Sequence, residues 1–341
     1  MSIAQELSIN VMRAAVEQAM QQVLQMTDAP PDPFWGMMHY HMGWVDAAWH
    51  RGGNENGKRI RPILCLLTCA AAGGDWRMAV PAGAALEILH NFSLVHDDIE
   101  DDSPLRRGRP TVWRMWGAPQ AINTGDAMFA VAHLALVRLR EQGVVAEVVV
   151  RAIRRFDETC LALTRGQYHD MRFETSAEVS VTEYLAMIEG KTAALTALSA
   201  EMGALVADAD DERAQHFAQF GLELGLAFQV RDDWLGIWGD EAQIGKSAES
   251  DILTKKKTLP VLYGLGRSPE LRDLYRQPAD TPGFVAAAIQ LLDACGARAY
   301  TQERAAHHSE RALFHLDQAR PSGDAGQALY ALADQLLNRR T

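Results

Sequence analysis

The sequence predicts an all-α protein, and three observations support this prediction. Apolar residues recur at intervals of three and four over long stretches such as "LSINVMRAAVEQAMQQVLQM" and "VTEYLAMIEGKTAALTALSAEMGALV", which is the period of a helix with one buried face. Strand-like alternation with hairpin turns is almost absent from the sequence. The stretches "DAPPDPFWG", "RGGNENG" and "SPLRRGRP" are rich in glycine and proline, and such stretches are typical of loops between helices.

The helical segments follow one another along the whole chain. The segment "AVPAGAALEILHNFSLVHDDI" has a proline near its start, where a helix tolerates it, and continues for several turns. The same spacing fills "TGDAMFAVAHLALVRLRE", "VVAEVVVRAIRRFDETCLALTRGQYHDM" and "DERAQHFAQFGLELGLAFQVRDDWLGIW". No composition shift, flexible linker or fixed-period repeat divides the chain. We therefore predict a single domain over residues 1–341.

Composition and charge exclude several classes of protein. The 341 residues are 48% hydrophobic and 23% charged, which is ordinary globular composition, and the net charge of -11 argues against a general nucleic-acid binder. The four cysteines form no C-x-x-C pair, so neither a disulfide framework nor a zinc site is predicted. No secretory signal and no run of about 18 uncharged apolar residues is found. We expect a cytoplasmic protein with no stable membrane insertion.

The segment "HDDIEDDSPLRRGRP" places five carboxylates within six positions and then three arginines. If the preceding helix continues through the acids, Asp97 and Asp101 share one face and Asp98 and Asp102 share the next. A solvated acidic loop is the simpler alternative, but the apolar stretch before the motif predicts that it begins inside the protein. Like charges at this spacing repel, so we expect Mg²⁺ between them, held by one or two carboxylates and substrate phosphates. The guanidinium of Arg106 suits the same phosphates.

A second acidic segment, "FQVRDDWLGIWGDEAQIGKSAESDILTKKKTLP", repeats this pattern. Asp232 and Asp233 follow a helical stretch, and lysines follow them. Upstream lie "NGKRIRP", "GQYHD" and "EGKT", each a weak signal by itself. Lys191 alone is more often a solvated surface residue. Together these segments supply two carboxylate sites and two groups of cations, which suits two diphosphate substrates held face to face.

These motifs resemble those of the trans-isoprenyl diphosphate synthases, the polyprenyl synthetase family. The match runs in order from "GKRIRP" through "DDIED", "LRRGRPT", "NTGD", "GQYHD", "GKT" and "FQVRDD" to "GDEAQIGKSAESDILTKKKTLP", and covers most of the chain. The resemblance implies a bundle of antiparallel helices around a central active-site cavity, usually as a homodimer.

The resemblance also implies a role for each matching residue. Three Mg²⁺ ions would be held by Asp97, Asp101 and Asp232, with Asp98 and Asp233 in support. An allylic diphosphate (dimethylallyl, geranyl or farnesyl) would be held by Arg106, Lys191 and Lys256, with Thr192, Gln229 and Lys246 nearby. Isopentenyl diphosphate would be held by Lys58, Arg61, His90 and Arg107. Without the resemblance, His90 on its apolar helix would more often be a hydrogen-bonded core histidine.

The implied reaction is a Mg²⁺-dependent head-to-tail condensation. The allylic diphosphate departs, the double bond of isopentenyl diphosphate attacks the carbocation, and loss of a proton leaves a chain five carbons longer. Metal ions and cationic side chains stabilise the departing group. Positioning and electrostatics then supply most of the catalysis, and no strong general base is required.

One position departs from the family pattern. The second motif reads "DDWLG", with Gly236 where the last aspartate of DDxxD is usual, so we expect Asp232 to remain a metal ligand and the metal affinity to be weaker. A class I terpene cyclase is one alternative, but it needs Ser or Thr four residues after its first acid, where this chain has Gly236 and Ile237. A non-catalytic synthase subunit is another alternative, but it would be expected to lose acids that the first motif keeps.

Product length is the last expectation that the resemblance supplies. Phe92 and Ser93 lie five and four positions before Asp97, where the family has its chain-length stop. By residue type alone, Phe92 is more often a core residue. A large residue at the fifth position indicates a short product. The small Ser93 and a first motif without insertion favour geranylgeranyl diphosphate (C20) over farnesyl diphosphate (C15).

Overall fold

The structure, a computed structural model, describes residues 3–27, 29, 31–52, 57–176, 178–239 and 250–337. Helices dominate these ranges. The one regular sheet in them has two strands of two residues each, β1 (Leu105–Arg106) and β2 (Arg109–Pro110), paired antiparallel. The prediction of an all-α fold is confirmed.

The long helices quoted from the sequence occur where the apolar periodicity predicts them. The loop predicted over "DAPPDPFWG" is wrong in part, because Asp32 caps a helix that begins at Pro33, a position where a helix tolerates proline. The first ten helices are α1 (Ile3–Val23), α2 (Pro33–His41), α3 (Ile60–Ala71), α4 (Val80–Glu100), α5 (Val112–Trp116), α6 (Ala118–Val137), α7 (Ala146–Thr175), α8 (Val181–Ile188), α9 (Ala194–Val206) and α10 (Asp211–Trp238). The later ones are α11 (Ser250–Leu253), α12 (Leu259–Arg267), α13 (Pro269–Tyr275), α14 (Phe284–Ala294), α15 (Ala297–Ala319) and α16 (Gly323–Leu337). Short 3₁₀ turns cover Trp76–Ala79 and Arg138–Arg140, and a π-helical turn covers Glu189–Ala193.

The chain forms two compact units. The first comprises Met1–Arg155, Ser199–Ala214 and Pro321–Leu329, and the second comprises Phe156–Leu198, Gln215–Arg320 and Tyr330–Thr341. Helices α7, α9, α10 and α16 each contribute to both units. The single domain over residues 1–341 stays a prediction.

Helix α4 is the central helix of the first unit. Pro81 lies in its first turn, where a missing N–H costs no helical hydrogen bond. The next residues, through Leu89, are all buried against α6, α3 and α1. The 25-residue stretch Trp76–Glu100 is long and apolar enough to cross a membrane, but 78% of its most apolar window is buried inside the protein. Its apolar character is therefore accounted for by core packing.

The second unit is built around two apolar clusters. A capping box between Ser180 and Glu183 starts helix α8, which carries Tyr184, Met187 and Ile188 into the first cluster. That cluster is completed by Phe173, Ala193, Leu226, Val230, Leu259 and Leu262. The second cluster contains Ile237, Ile252, Val261, Leu271, Phe284, Ala288, Leu292 and Ala297.

Candidate active site

The first acidic motif lies at the end of helix α4, as the spacing predicts. The helix ends at Glu100, and the N–H of Asp101 donates to the carbonyl of Asp97 at 2.9 Å, so these two residues are one helical turn apart. Their exposure differs: Asp97 is half-buried and Asp101 is exposed, whereas Asp98 is only 1% exposed. The three carboxylates therefore have different environments.

The carboxylate of Asp98 is held by an arginine. Nε and a terminal nitrogen of Arg106 each lie 2.8 Å from Oδ1 of Asp98. The other oxygen, Oδ2, is buried and has no hydrogen-bond partner among the described residues. Burial raises the pKa of Asp98, and the charge and hydrogen bond of Arg106 oppose this rise. Asp98 thus fixes Arg106 beside the two more accessible acids.

The arginines of the first motif are carried by a tight hairpin. Arg106 pairs with Arg109 across it, and the two turn residues, Arg107 and Gly108, have φ of 52° and 75°, as a type I′ turn requires. The guanidinium of Arg109 donates to the carbonyls of Tyr40 at 3.2 Å and Val45 at 2.8 Å, and stacks over the Tyr40 ring. Arg109 therefore anchors the hairpin, and it lines a cavity together with Arg106 and Arg107.

This cavity has a volume of about 380 Å³ and lies within the first unit. Its polar lining includes His41, Asn91, Asp98, Arg106, Arg107 and Arg109. Three guanidinium groups against one carboxylate give the lining an excess of positive charge. An anion of diphosphate size is the ligand that such a cavity suits.

A buried ion pair organises the segment that carries Lys58 and Arg61. Arg59, between them, has a left-handed φ of 48° at the start of α3 and is only 3% exposed. Its guanidinium lies 2.7 Å from Oε1 of Glu87 and 3.3 Å from Oε2 of Glu17. Sequence reasoning missed this role, because the partners are 28 or more residues away and no local spacing indicates them.

His90 lies among the cations of the first unit. Burial lowers its pKa well below the ordinary value, and the charges of Arg61, Arg107 and Arg106 lower it further. The ring is therefore neutral, and the nearness of these arginines agrees with the grouping inferred from the sequence. Lys58 is exposed and adjoins Gly57, which lines the cavity.

In the second unit, Asp233 is the centre of a buried hydrogen-bond network. Its carboxylate accepts from Tyr184 Oη at 2.5 Å, from Gln229 Nε2 at 3.1 Å and from the N–H of Leu259 at 3.2 Å. Burial raises the pKa of Asp233 to about 6 against the opposing effect of these bonds and of the Lys256 charge. Asp233 is only 3% exposed, whereas Asp232 beside it is half-buried. The network ties α10 to the start of α12.

Lys191 and Thr192 lie on the π-helical turn Glu189–Ala193. The ammonium of Lys191 is paired with Asp170, and Thr192 Oγ1 donates to Gln229 Oε1 at 3.1 Å. An added Cβ on Gly190 would lie 2.7 Å from the carbonyl oxygen of Ala162, so glycine allows α7 and the turn to touch. Single π-turns inside helices are frequent at functional sites. The periodicity analysis missed this one.

The three consecutive lysines have different partners. The ammonium of Lys255 donates to the carbonyls of Tyr275 and Gln277, and that of Lys257 donates to the carbonyls of Phe173 and Ser176. Lys256 is exposed. Of the three, it is the lysine most accessible to a ligand. Lys246 lies outside the described residues.

Comparison with known proteins agrees with this description. The sequence profile of the polyprenyl synthetase family matches residues 43–292. A geranylgeranyl diphosphate synthase of Mycobacterium tuberculosis is 42% identical over 314 residues, 91% of this chain and 87% of that protein. A (2E,6E)-farnesyl diphosphate synthase of Mycobacterium bovis is 39% identical over 292 residues, 83% and 80% of the two chains. The crystal structure of a polyprenyl synthetase from Streptomyces coelicolor superposes with a TM-score of 0.86 at 35% identity, covering 96% and 98%.

The helical fold and the two groups of acids and cations define an all-α prenyltransferase. The chain belongs to the polyprenyl synthetase family. The resemblance stated from the motifs, the isoprenoid synthase fold and the prenyltransferase class are thereby confirmed. The alternatives of a terpene cyclase and a non-catalytic subunit are not favoured.

Proposed function

We propose that this protein is a short-chain all-E prenyl diphosphate synthase that joins isopentenyl diphosphate to an allylic diphosphate and releases a C20 or C15 product. The cationic cavity beside the acidic end of α4 is the observation that carries this proposal. The similarity to synthases named for geranylgeranyl and farnesyl diphosphate supports the product range.

Isopentenyl diphosphate is assigned to the cations of the first unit. Arg107 lines the cavity. The positive charges of Arg107 and Arg61 both lower the pKa of His90, which indicates that the three side chains are near one another. Guanidinium groups bind phosphate oxygens through paired N–H donors. Lys58 adds an exposed ammonium at the start of the same segment.

From the family resemblance, the allylic diphosphate is assigned to Arg106, Lys191 and Lys256. Lys191 is half-buried and Lys256 is exposed. The pair of Lys191 with Asp170 is a resting arrangement, which a diphosphate oxygen would replace. Thr192 and Gln229 supply neighbouring polar groups, and the family pattern adds Lys246.

The carboxylates fit Mg²⁺ when substrate phosphates complete its coordination. In the described ranges, no three His, Cys, Asp or Glu side chains could hold a metal ion by themselves. Asp97 and Asp101, one turn apart, offer the hard oxygen ligands that Mg²⁺ takes one or two at a time, and Asp232 offers another on α10. Three ions are expected from the family. When bound, they neutralise charge on the departing diphosphate.

The chain itself contributes orientation and charge. Arg106 is held by Asp98, so its position is set before substrate arrives and little reorganisation accompanies the reaction. Asp233 is held by three donors, and it connects Gln229 with the segment after Lys256. We assign Asp98 and Asp233 as positioning residues and Asp97, Asp101 and Asp232 as the metal ligands.

Chain length is assigned to Phe92 and Ser93. Phe92 is 8% exposed, and its ring centroid lies 5.3 Å from that of Phe129 and 5.0 Å from that of His96. Phe92 thus contacts two further rings and lies about one and a half helical turns before Asp97. Ser93 is small, and its hydroxyl donates to the carbonyl of His90. This combination favours C20 over C15.

A cytoplasmic homodimer with no stable membrane insertion is also proposed. Three of the four free cysteines are buried and the fourth is partly buried, which is typical of a reducing compartment. The dimer is expected from the family resemblance.

Product analysis tests the proposed function. Purified protein with Mg²⁺ and isopentenyl diphosphate is offered dimethylallyl, geranyl or farnesyl diphosphate in turn, and the products are identified by mass. Chains that stop at C20 or C15 support the proposal. A hydrocarbon or terpene alcohol formed without extension would instead support the cyclase alternative.

A further inference from the structure

His41, the last residue of α2, lines the cationic cavity together with Arg106 and Arg107. Its Nε2 is buried and has no hydrogen-bond partner within the part of the chain that the structure describes. None of the motifs includes this residue. A buried polar atom without a partner at the wall of a cavity is a candidate contact for the ligand of that cavity.

The polar groups around His41 indicate which nitrogen carries the proton. Asn91 is the neighbouring polar side chain that favours the charged form of His41, and because Nε2 has no hydrogen-bond partner in the described residues, we assign Nδ1 as the nitrogen that faces Asn91. The amide nitrogen of Asn91 already donates to the carbonyl and the carboxylate of Glu87, at 2.8 and 3.1 Å. Its oxygen is therefore the atom left to accept from His41, so Nδ1 is the donor. In the neutral ring, Nε2 then has only a lone pair.

The charges around His41 explain why the ring is neutral without a ligand. Burial is the largest effect, and the positive charges of Arg106, Arg107 and Arg59 add to it, so the pKa of His41 is lowered to about 3. His90, on α4, is a further titratable group nearby, and a positive charge on His41 would lower the pKa of His90. Of these arginines, Arg59 is paired with Glu87 and Arg106 with Asp98.

A diphosphate in this cavity would favour the protonated form of His41 over the neutral form. Its negative charges neutralise the arginines that oppose protonation, and its oxygens accept hydrogen bonds but have few protons to donate. A lone pair on Nε2 would face these oxygens unfavourably, whereas an N–H would bind them.

We propose that His41 is a further diphosphate-binding residue, which takes up one proton from solvent onto Nε2 when isopentenyl diphosphate enters the cavity and then donates that proton in a hydrogen bond to a phosphate oxygen. The inference rests on the proposed function, since the ligand is taken to be the substrate assigned to this cavity. Asn91 is assigned to orient the ring, and Glu87 accepts two hydrogen bonds from the Asn91 amide.

Calorimetry of isopentenyl diphosphate binding, without allylic substrate, tests the proton uptake. Titrations at pH 7 in buffers of different ionisation enthalpy give the number of protons taken up per site. The wild-type protein is expected to take up roughly one proton more than His41→Asn. Comparing the two proteins removes the contribution of the substrate's own phosphate ionisation. Equal uptake by both proteins would overturn the proposal.

Steady-state kinetics supply a second readout. Loss of a hydrogen bond to a charged group is expected to raise KM for isopentenyl diphosphate in His41→Asn by roughly tenfold to a hundredfold, while KM for the allylic substrate stays unchanged. An unchanged KM for isopentenyl diphosphate would contradict the assignment. The control is His50→Asn, because the His50 side chain is 79% exposed and paired with Asp46; neither constant should change.

Two further outcomes separate this inference from the proposed function. If the wild-type protein binds isopentenyl diphosphate with the extra proton but extends no allylic substrate, the function fails and the role of His41 stands. If the wild type extends chains and His41→Asn matches it in proton uptake and KM, only the role of His41 fails. Should His41→Asn not fold, His41→Gln replaces it in the same comparison with the wild type, and equal proton uptake by the two proteins would overturn the proposal.

Discussion

The carboxylate of Asp251 occupies the space that a side chain at Gly236 would need. A Cβ added to Gly236 would lie within 3.0 Å of Oδ2 of Asp251, a distance that real Cβ atoms do not show. Gly236 lies one turn after Asp232 on α10, where the family pattern has the third acid of DDxxD. Asp251 comes from the first turn of α11. The missing acid and the carboxylate from α11 therefore cannot both occupy this place without movement.

A side chain at residue 236 is expected to lower the stability of the folded protein. Gly236→Asp should lower the free energy of unfolding by about 1–3 kcal/mol, the usual effect of overpacking, and should not lower the Mg²⁺ concentration that gives half-maximal activity. Urea unfolding and a Mg²⁺ titration measure the two effects. Gly266→Ala is the control, because no atom lies within 4 Å of the added Cβ. A lower Mg²⁺ requirement in Gly236→Asp would contradict this account.

Asp97→Ala is expected to abolish turnover and leave the fold intact. Asp97 is half-buried at the end of α4, so its loss removes a metal ligand without opening a core cavity. Product formation and the thermal unfolding midpoint are measured together. Glu100→Ala, an exposed change on the same turn, should retain activity. A fully active Asp97→Ala protein would refute the metal assignment.

Phe92→Ala is expected to lengthen the product by one or more five-carbon units. The substitution removes the ring that is proposed to stop the chain and that contacts the rings of Phe129 and His96. Mass analysis of chains grown from geranyl diphosphate measures the effect. Phe314→Ala serves as control, since Phe314 is 56% exposed on α15. An unchanged product distribution in Phe92→Ala would show that Phe92 does not stop the chain.

Lys256→Ala is expected to raise KM for the allylic substrate roughly tenfold or more, because a hydrogen bond to a charged diphosphate is lost. Lys255→Ala is the matched control one residue away. The Lys255 ammonium donates to the carbonyls of Tyr275 and Gln277, so its loss should reduce thermal stability and leave KM unchanged. The assignment fails if the two variants show the same KM.

Glu223→Gln is expected to lower the free energy of unfolding by about 1–3 kcal/mol at pH 7. The buried carboxylate accepts from His308 Nδ1 and Arg311 Nε, each at 2.6 Å. Burial raises the pKa of Glu223, but these two partners outweigh burial and hold it below its ordinary value of 4.5. Urea unfolding measures the difference, with exposed Glu310→Gln as control.

The pH dependence of this difference follows from the lowered pKa. A carboxyl with a lower pKa in the folded state stabilises the fold above its unfolded pKa, and this contribution is lost as pH falls through the folded value. The gap between wild type and Glu223→Gln should therefore shrink below about pH 4.5. A gap that stayed constant down to pH 3 would show that ionisation of Glu223 contributes nothing.

Local patterns predicted the helices and the motif residues because their information lies within a few turns of chain. The spacing of Asp97 and Asp101 is one such case. Long-range pairs were not predictable in this way. Arg59 and Glu87 are 28 residues apart, and nothing in "GKRIRP" distinguishes a buried arginine from a ligand-binding one. For the same reason the anchoring role of Arg109, which donates to main-chain carbonyls of residues more than 60 positions away, could not be predicted from "LRRGRP".

The wide turn at Glu189–Ala193 makes the second unit sensitive to chain length as well as to residue type. A π-turn holds one residue more than an α-helical turn, and each residue rotates a helix by about 100°. Deleting one residue there would restore a regular helix but turn α8 out of phase with α9. Tyr184 would then point away from Asp233, and no substitution elsewhere could correct the phase. Natural variation in this segment should therefore be confined to replacements, with insertions and deletions excluded.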